Sequence, residues 1–140
     1  MGLNFLAIGF LKPTAKWSYS GFYVFRKNLA NHLGFDLHEM KGYYKGNILN
    51  PIFGTKTWES LVEEIPEVEP LLAFFNHSDC DGVISPEECK KISPSLLELI
   101  ETKFHSTTYC PVTSYDYNQG LILVEMMQHC VRNNVDLQFS

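Results

Sequence analysis

The feature that most constrains the fold is a run of helical periodicity near the end of the chain, followed directly by strand-like alternation. Apolar residues recur in this run at i, i+1, i+4, i+7 and i+8, as Leu123, Val124, Met127, Cys130 and Val131. Asp116 with Gln119 is interpreted as a capping box that opens the helix. After a turn signal at 133–134, Val135, Leu137 and Phe139 alternate with polar residues, which is typical of a strand. A helix that leads into a strand predicts an α+β fold.

The rest of the apolar pattern predicts a mostly helical domain on a small sheet. Residues 3–10 predict a buried strand, and the simplest partner for it is the terminal strand. A helix is predicted over about residues 21–33, capped by Ser18 or Ser20 and ended by Gly34. A chain of 140 residues suits a single domain, residues 1–140.

Proline and serine mark the starts of further helices. Short helices are predicted from Trp58 to the residue before Pro66 and from Pro70 to Phe75. Ser85 and Glu88 form a strong capping box with Pro86 between them, and Ser93 with Pro94 predicts a second helix start.

Charge is unevenly divided along the chain. Residues 1–58 carry seven Lys and Arg against two acids, whereas residues 59–101 carry eleven acids against two lysines. The asymmetry favours either an anion-binding face beside a cation-binding face, or two halves that complement each other across the fold. The net charge of −5 argues against general nucleic-acid binding. No apolar run approaches the roughly 20 residues of a membrane span, and no signal-peptide pattern opens the chain, so a cytoplasmic protein is expected.

The four cysteines contain no C-x-x-C pair, which excludes zinc ribbons and thioredoxin-like motifs. Because reduced thiols are the default in the cytoplasm, the favoured interpretation is that they are core residues. A zinc set remains open as the alternative, built from His77, Cys80, Cys89 and either His105 or Cys110.

Residues 77–88 follow the spacing of a twelve-residue calcium loop, with Gly82 at the sixth position, where the loop turns sharply. His77 occupies the first position in place of the usual Asp, and imidazole is a poor partner for calcium, so the expected dissociation constant is on the order of 10⁻⁴ M or weaker. Three interpretations stay open: weak calcium binding, a metal-free loop of the same geometry, and a transition metal. The candidate ligands are His77, Asp79, Asp81, the Val83 carbonyl and Glu88.

Residues 16–27 combine aromatic and cationic side chains around a predicted helix start, which predicts an anion-binding pocket. Aromatic rings there would stack on a base, the serines and cations would hold phosphates, and the glycine would let a ligand approach the backbone. The alternative is that the aromatic residues are core and the arginine pairs with the acidic segment. The candidate ligand-binding residues are Lys16, Trp17, Ser18, Tyr19, Ser20, Gly21 and Arg26.

Two motifs, W-S-Y-S-G-F-x-x-F-R and H-S-D-C-D-G-x-I-S-P-E-E-C, resemble a family of small phage, prophage and bacterial proteins without an established activity. The second motif also resembles an EF-hand-like calcium loop. The resemblance implies a genetic setting in which small phage proteins often counter host immunity. By that analogy we expect a non-enzymatic protein that sequesters a small anionic ligand, a nucleotide-derived immune signal, in the host cytoplasm. A homo-oligomer is compatible with this role.

Two other function classes stay open at this point. One is an EF-hand-like metal-binding or protein-interaction module. The other is a metal-assisted phosphodiesterase, with a metal at Asp79 and Asp81 and a base among His32, His38 and His105. The chain has none of the common nucleotide-hydrolase, serine-hydrolase or zinc-protease motifs, which disfavours catalysis.

Overall fold

The computed structural model describes residues 2–37, 40, 56–76, 82–105 and 111–139, and these residues form a mostly helical α+β fold, as predicted. The helices are α1 (Tyr19–Leu33), α2 (Trp58–Glu64), α3 (Leu72–Phe75), α4 (Pro86–His105) and α5 (Pro111–Asn133), with a 3-10 helix at Pro66–Leu71 between α2 and α3. The strands are β1 (Gly2–Leu6), β2 (Lys16–Ser18), β3 (Gly82–Ile84) and β4 (Leu137–Phe139). None of the described helices is both long and apolar enough to cross a membrane.

The sheet confirms the predicted pairing of the first and last strands. β1 and β4 are antiparallel neighbours, with Phe5 opposite Phe139 and Leu6 opposite Gln138. The strand order is β2-β1-β4-β3, so two unpredicted edge strands flank this central pair. β1 ends at Leu6 rather than at Phe10, because the chain turns at Gly9, whose φ of 86° an L side chain rarely adopts.

Helix α1 ends at Leu33 as its sequence predicts, and it begins at Tyr19, two residues before the predicted start, with Ser18 of the two candidate residues as its cap. The Ser18 side chain accepts a hydrogen bond from the Gly21 amide (2.9 Å), which satisfies one of the free donors of the first turn. Gly34 ends the helix at φ 106°, and its amide donates to the Ala30 carbonyl. Phe22, Phe25 and Leu29 recur at helical spacing, and their side chains are buried against the inner face of the sheet and the other helices.

Helix α4 confirms one predicted start and corrects another. At its beginning, the Ser85 amide donates to Glu88 Oε1 (3.1 Å) and the Glu88 amide donates to Ser85 Oγ (3.2 Å), a complete capping box. The predicted second start at Ser93 is wrong, since α4 continues through Pro94 to residue 105. Proline removes one hydrogen bond inside a helix, and the apolar residues Ile92, Leu96 and Ile100, buried on both sides of it, compensate by packing.

Helix α5 packs antiparallel against α4 and begins at Pro111, not at Asp116. The two helices approach closely where a side chain at Gly120 would meet Ile100 Cδ1 at 2.9 Å. Asp116 and Gln119 do not form the predicted capping box. They bond to β2 instead, because the Trp17 indole donates to Asp116 and the Lys16 amide donates to Gln119 Oε1 (3.0 Å).

Candidate functional site

The structure places Trp17 in the core of the protein, where no ligand reaches it. The side chain is 4% exposed and stacks on Phe25, with ring centroids 4.8 Å apart. Its indole Nε1 donates a hydrogen bond to Asp116 Oδ1 (3.0 Å). Burial raises the pKa of the Asp116 carboxyl, and the hydrogen bond from the indole partly opposes this. The predicted stacking of Trp17 on a base therefore does not fit the structure.

Arg26 is also a core residue, with an exposed fraction of 0%. Its Nη1 donates to the Phe74 carbonyl (3.1 Å) and to the Phe75 carbonyl (3.5 Å), which are the last two carbonyls of α3. The guanidinium carbon lies 4.7 Å from the centroid of the Phe22 ring. Arg26 thus ties α1 to the C-terminal end of α3, and its predicted contact with a phosphate does not fit the structure.

The other five candidate ligand contacts lie at the start of α1, with their polar groups partly used by the fold. A Cβ at Gly21 would lie 2.8 Å from Ser18 Oγ, so this glycine makes room for the helix cap rather than for a ligand. The Lys16 carbonyl accepts from the Tyr115 hydroxyl (2.7 Å), and Ser18 Oγ lies 3.5 Å from Ser20 Oγ. Lys16, Ser18 and Ser20 are exposed, and Tyr19 is half-buried. The seven candidates are therefore split between core and surface.

The candidate metal loop is described only at its end. His77, Asp79 and Asp81 lie outside the described residues, whereas Val83 is in β3 and Glu88 is in the first turn of α4. Glu88 Oε1 accepts from both the amide and the hydroxyl of Ser85, each at 3.1 Å. Within the described ranges no three His, Cys, Asp or Glu side chains are grouped so as to hold a metal ion. Calcium binding stays a prediction.

Cys89 and Cys130 are buried core thiols, as the favoured interpretation predicts, while Cys80 and Cys110 lie outside the described residues. The hydrogen bond with Cys130, together with burial, raises the pKa of the Cys89 thiol, which makes it a poor nucleophile and a poor metal ligand. Among the candidate bases, His32 is exposed in the last turn of α1 and His38 lies outside the described residues, while His105 is the last residue of α4.

A surface groove that the sequence does not reveal lies between the 3-10 helix and the C-terminal half of α4. Its volume is about 420 Å³, within the range of about 300–1,000 Å³ that is usual for ligand sites. One wall is the 3-10 helix, where buried Val68 and Leu71 fix the segment to the core and two prolines restrict its backbone. The residues that line this wall are Pro66, Glu67, Pro70 and Leu71.

The second wall is one face of α4, formed by residues at i, i+3, i+4 and i+7, which are Ser95, Glu98, Leu99 and Thr102. Leu33 of α1 completes the lining between the two walls. The Thr102 hydroxyl shares its one hydrogen between the Glu98 carbonyl (3.0 Å) and the Leu99 carbonyl (3.1 Å), so its donor is used within the helix. The lining is consequently mostly apolar.

Each wall contributes one exposed carboxylate, Glu67 from the 3-10 helix and Glu98 from α4. Nearby acids are paired: Glu69 accepts from Lys91 Nζ at 2.7 Å, and Glu64 accepts from Lys56 Nζ at 2.8 Å. In the part of the chain that the structure describes, neither Glu67 nor Glu98 has an ion pair. We call this feature, an apolar groove with two unpaired acids, the acid-rimmed groove.

The acid-rimmed groove has only a weak signal in the sequence. Pro66 and Pro70 mark a rigid segment, and the α4 face mixes polar and apolar residues where a core-facing stripe would be uniformly apolar. Neither pattern shows that these segments lie side by side with Leu33.

A scan against protein-family models and searches of curated proteins and of solved structures give no match. The resemblance to small phage and bacterial proteins stays a prediction.

Proposed function

We propose that this protein is a non-enzymatic interaction module, and that the acid-rimmed groove binds a segment of a protein partner. The segment would present aliphatic side chains to the groove with a lysine or arginine beside them. The observation that carries the proposal is the combination of an apolar groove with two unpaired carboxylates, one on each wall.

The two acids support a cationic partner. Exposed carboxylates without ion pairs create a local negative potential, which raises the concentration of cationic groups near the groove and speeds their association. The acidic segment 59–101 contains both Glu67 and Glu98, so the wider surroundings have the same sign. A carboxylate in water gains little from one lysine, about 0.2–1 kcal/mol, so apolar contacts must supply most of the affinity.

The walls support apolar contact by a preformed site. Leu71 and Leu99 are almost fully buried, so they are held in place by the core beneath the groove. Prolines 66 and 70 have fixed φ angles, so little backbone entropy is lost when a partner binds. A rigid apolar groove with a charged rim resembles the anatomy of a small protein interface, with an apolar centre and a polar edge.

Sequestration of a nucleotide-derived signal stays a separate proposal, and the acid-rimmed groove does not serve it. Glu67 and Glu98 repel phosphate, so a nucleotide would have to bind elsewhere on the molecule. Mass spectrometry of the small molecules that heat releases from the purified protein tests it directly. A nucleotide released unaltered supports sequestration, and the absence of any nucleotide at stoichiometric amounts contradicts it.

A designed peptide tests the interaction module. The probe is a fluorescein-labelled amphipathic helix of leucine and lysine, and its control replaces every lysine with glutamate. Fluorescence anisotropy should show binding of the lysine probe and no binding of the glutamate control. In the double variant Glu67→Gln/Glu98→Gln, binding should weaken about three- to tenfold, the effect of losing two exposed charge contacts.

The matched control is Glu63→Gln/Glu87→Gln, which removes two exposed acids outside the groove and changes the net charge equally. It separates a local contact from general attraction to an acidic protein. The substitution Ser95→Trp places a large ring in the groove and should abolish binding of the probe. Equal weakening in both double variants, or unchanged binding in Ser95→Trp, contradicts the proposal.

A further inference from the structure

The loop between β1 and β2 exposes aliphatic side chains to an unusual degree. Ile8 is 72% exposed and Leu11 is 95% exposed, and Leu6, at the end of β1, is half-exposed. Three of the six large apolar residues exposed in the described chain thus lie within six positions. Lys12 follows directly, and Lys16 is exposed at the start of β2. We call residues 8–12 the apolar loop.

The apolar loop has a fixed conformation. His129 Nε2 donates to the Ile8 carbonyl (2.8 Å), and the Phe10 amide donates to the Ala7 carbonyl (3.0 Å). The Phe10 ring packs edge-on against the His129 ring, with centroids 5.6 Å apart. These contacts hold the backbone while Ile8 and Leu11 project into solvent, so the loop can insert into a partner at a small entropic cost.

The apolar loop has the chemistry that the acid-rimmed groove requires. It offers two aliphatic side chains with a lysine next to one of them, in a basic segment: residues 1–58 carry seven Lys and Arg against two acids. Lys12 pairs with Glu125, but the pair is exposed, so exchange for another carboxylate changes the free energy little. The Lys16 ammonium has no ion pair among the described residues.

The two features lie at opposite ends of the α4–α5 hairpin, so one chain cannot fill its own groove. Gly120 packs against Ile100 in the antiparallel helix pair, which places position 129, nine residues further along α5, beside about position 91 of α4. The groove residues of α4 at 98–102 lie seven to eleven positions further along, about 10–17 Å at 1.5 Å per residue.

We propose that the partner of the acid-rimmed groove is a second copy of this chain, which inserts Ile8 and Leu11 of its apolar loop between Glu67 and Glu98. This inference rests on the proposed function of the groove. The contact joins two different surfaces, so an open assembly has one free loop at one end and one free groove at the other. Such head-to-tail contacts produce rings or open chains rather than closed two-fold dimers.

Two variants with complementary defects test this arrangement by sedimentation velocity. Ile8→Ser/Leu11→Ser removes the loop contact and keeps the groove, whereas Glu67→Gln/Glu98→Gln weakens the groove and keeps the loop. The wild-type mass should rise with concentration, and the loop variant should stay a monomer. The groove variant should need about three- to tenfold more protein to associate. Adding Ser95→Trp to the groove variant should make it a monomer. This triple variant keeps an intact loop and the loop variant keeps an intact groove, so an equimolar mixture of the two should form dimers and nothing larger.

Val24→Ser is the control, because Val24 is an exposed aliphatic residue on α1 outside both surfaces, and it should associate like the wild type. A monomeric wild type whose groove still binds the leucine–lysine probe overturns this inference and leaves the proposed function standing. Failure of the probe test contradicts both. Association of the loop variant at wild-type concentrations, or large assemblies in the mixture, overturns the head-to-tail contact. Loop-dependent binding of the wild type to phosphatidylserine vesicles, without self-association, assigns the loop to a lipid surface and also overturns it.

Discussion

The aromatic segment 16–26 and the acid-rimmed groove satisfy their polar groups in opposite ways. In the segment, the Trp17 indole donates to Asp116, Arg26 donates to the carbonyls of Phe74 and Phe75, and the Gly21 amide donates to Ser18. In the groove, Glu67 and Glu98 have no charged partner among the described residues, and the apolar surface between them is open. The fold itself provides partners for the buried polar side chains Trp17 and Arg26, whereas within the described ranges it provides no charged partner for the two groove carboxylates.

The difference shows that rich chemistry in a sequence does not identify a site by itself. Tryptophan and phenylalanine bury large areas, so a small domain gains more stability by placing them in its core than by exposing them to a ligand. Burial of an arginine is less costly when its donors find acceptors, and the α3 carbonyls provide acceptors for Nη1 of Arg26. The groove consists of less conspicuous residues, and only the fold brings them together into one surface feature.

The largest expected effect is on the core role of the aromatic segment. Trp17→Ala should lower the free energy of unfolding by about 3–5 kcal/mol, because it leaves a cavity beside Phe25 and removes the partner of Asp116. Urea denaturation followed by circular dichroism measures this loss. Ser20→Ala is the control, since Ser20 is exposed, and it should change stability by less than about 0.5 kcal/mol. A Trp17→Ala variant as stable as the wild type would contradict the core role of Trp17 and would make this residue a candidate ligand contact again.

The second-largest expected effect on stability is that of replacing Asp116, whose carboxyl accepts the hydrogen bond from the Trp17 indole. Asp116→Ala leaves the buried indole N–H unpaired and should cost about 1–3 kcal/mol. Asp116→Asn keeps an acceptor oxygen and should cost much less. The pairing is shown to be unimportant if both variants lose the same stability in urea denaturation at neutral pH.

The raised pKa of Asp116 also predicts that the free energy of unfolding depends on pH. Burial raises the pKa of this carboxyl above its usual 3.8, so the folded protein holds the proton more tightly than the unfolded chain. Its contribution to stability is therefore full below pH 3.8 and is lost as the pH rises through the folded-state pKa. Relative to the wild type, Asp116→Asn should become more stable from about pH 4 to about pH 7. A stability difference between the two proteins that is constant over this range contradicts the raised pKa.

A further test concerns the candidate calcium loop, where a bound metal ion would balance the negative charge of the acidic side chains. If residues 77–88 bind calcium, a concentration ten times the dissociation constant stabilises the fold by about 1.4 kcal/mol. Differential scanning calorimetry with millimolar calcium and with chelator measures the shift in melting temperature. Asp81→Asn should abolish the shift, while Glu87→Gln, which alters an acid outside the candidate ligand set, should preserve it. No shift in the wild type at millimolar calcium removes the calcium interpretation.

Much of the fold could be predicted because its signals are local. Ser18 and Gly34 mark the ends of α1, and alternation at Leu137 and Phe139 marks β4. The failures involve contacts between distant positions. Asp116 and Gln119 have the spacing of a helix cap, yet their partners are Trp17 and Lys16, about a hundred residues earlier. A spacing rule cannot distinguish a cap from a tertiary contact when both use the same acceptors.

The acid-rimmed groove could not be predicted for the same reason. Pro66 and Pro70 mark the boundaries of predicted short helices in the sequence, but they form a groove wall only because Leu99 and Leu33 lie beside them in the fold. Unpaired charge is likewise a property of the folded surface: Glu67 and Glu69 are two residues apart, and only Glu69 meets a lysine. The acidic segment is visible in the sequence, but which of its acids lack an ion pair depends on the folded structure.

The smallest expected effect on stability is that of removing the two groove carboxylates. It distinguishes the acid-rimmed groove from the aromatic segment, where loss of the Trp17 side chain is expected to cost several kcal/mol. Glu67→Gln/Glu98→Gln should change the free energy of unfolding by less than about 0.5 kcal/mol, because neither carboxylate has a partner to lose, and any change should favour the fold through reduced repulsion. Glu69→Gln, which breaks the exposed pair with Lys91, provides the comparison and should cost about 0.2–1 kcal/mol. Urea denaturation of the three proteins measures both values. Loss of more than about 1 kcal/mol in the groove variant would show that these acids stabilise the fold, which contradicts their description as unpaired carboxylates.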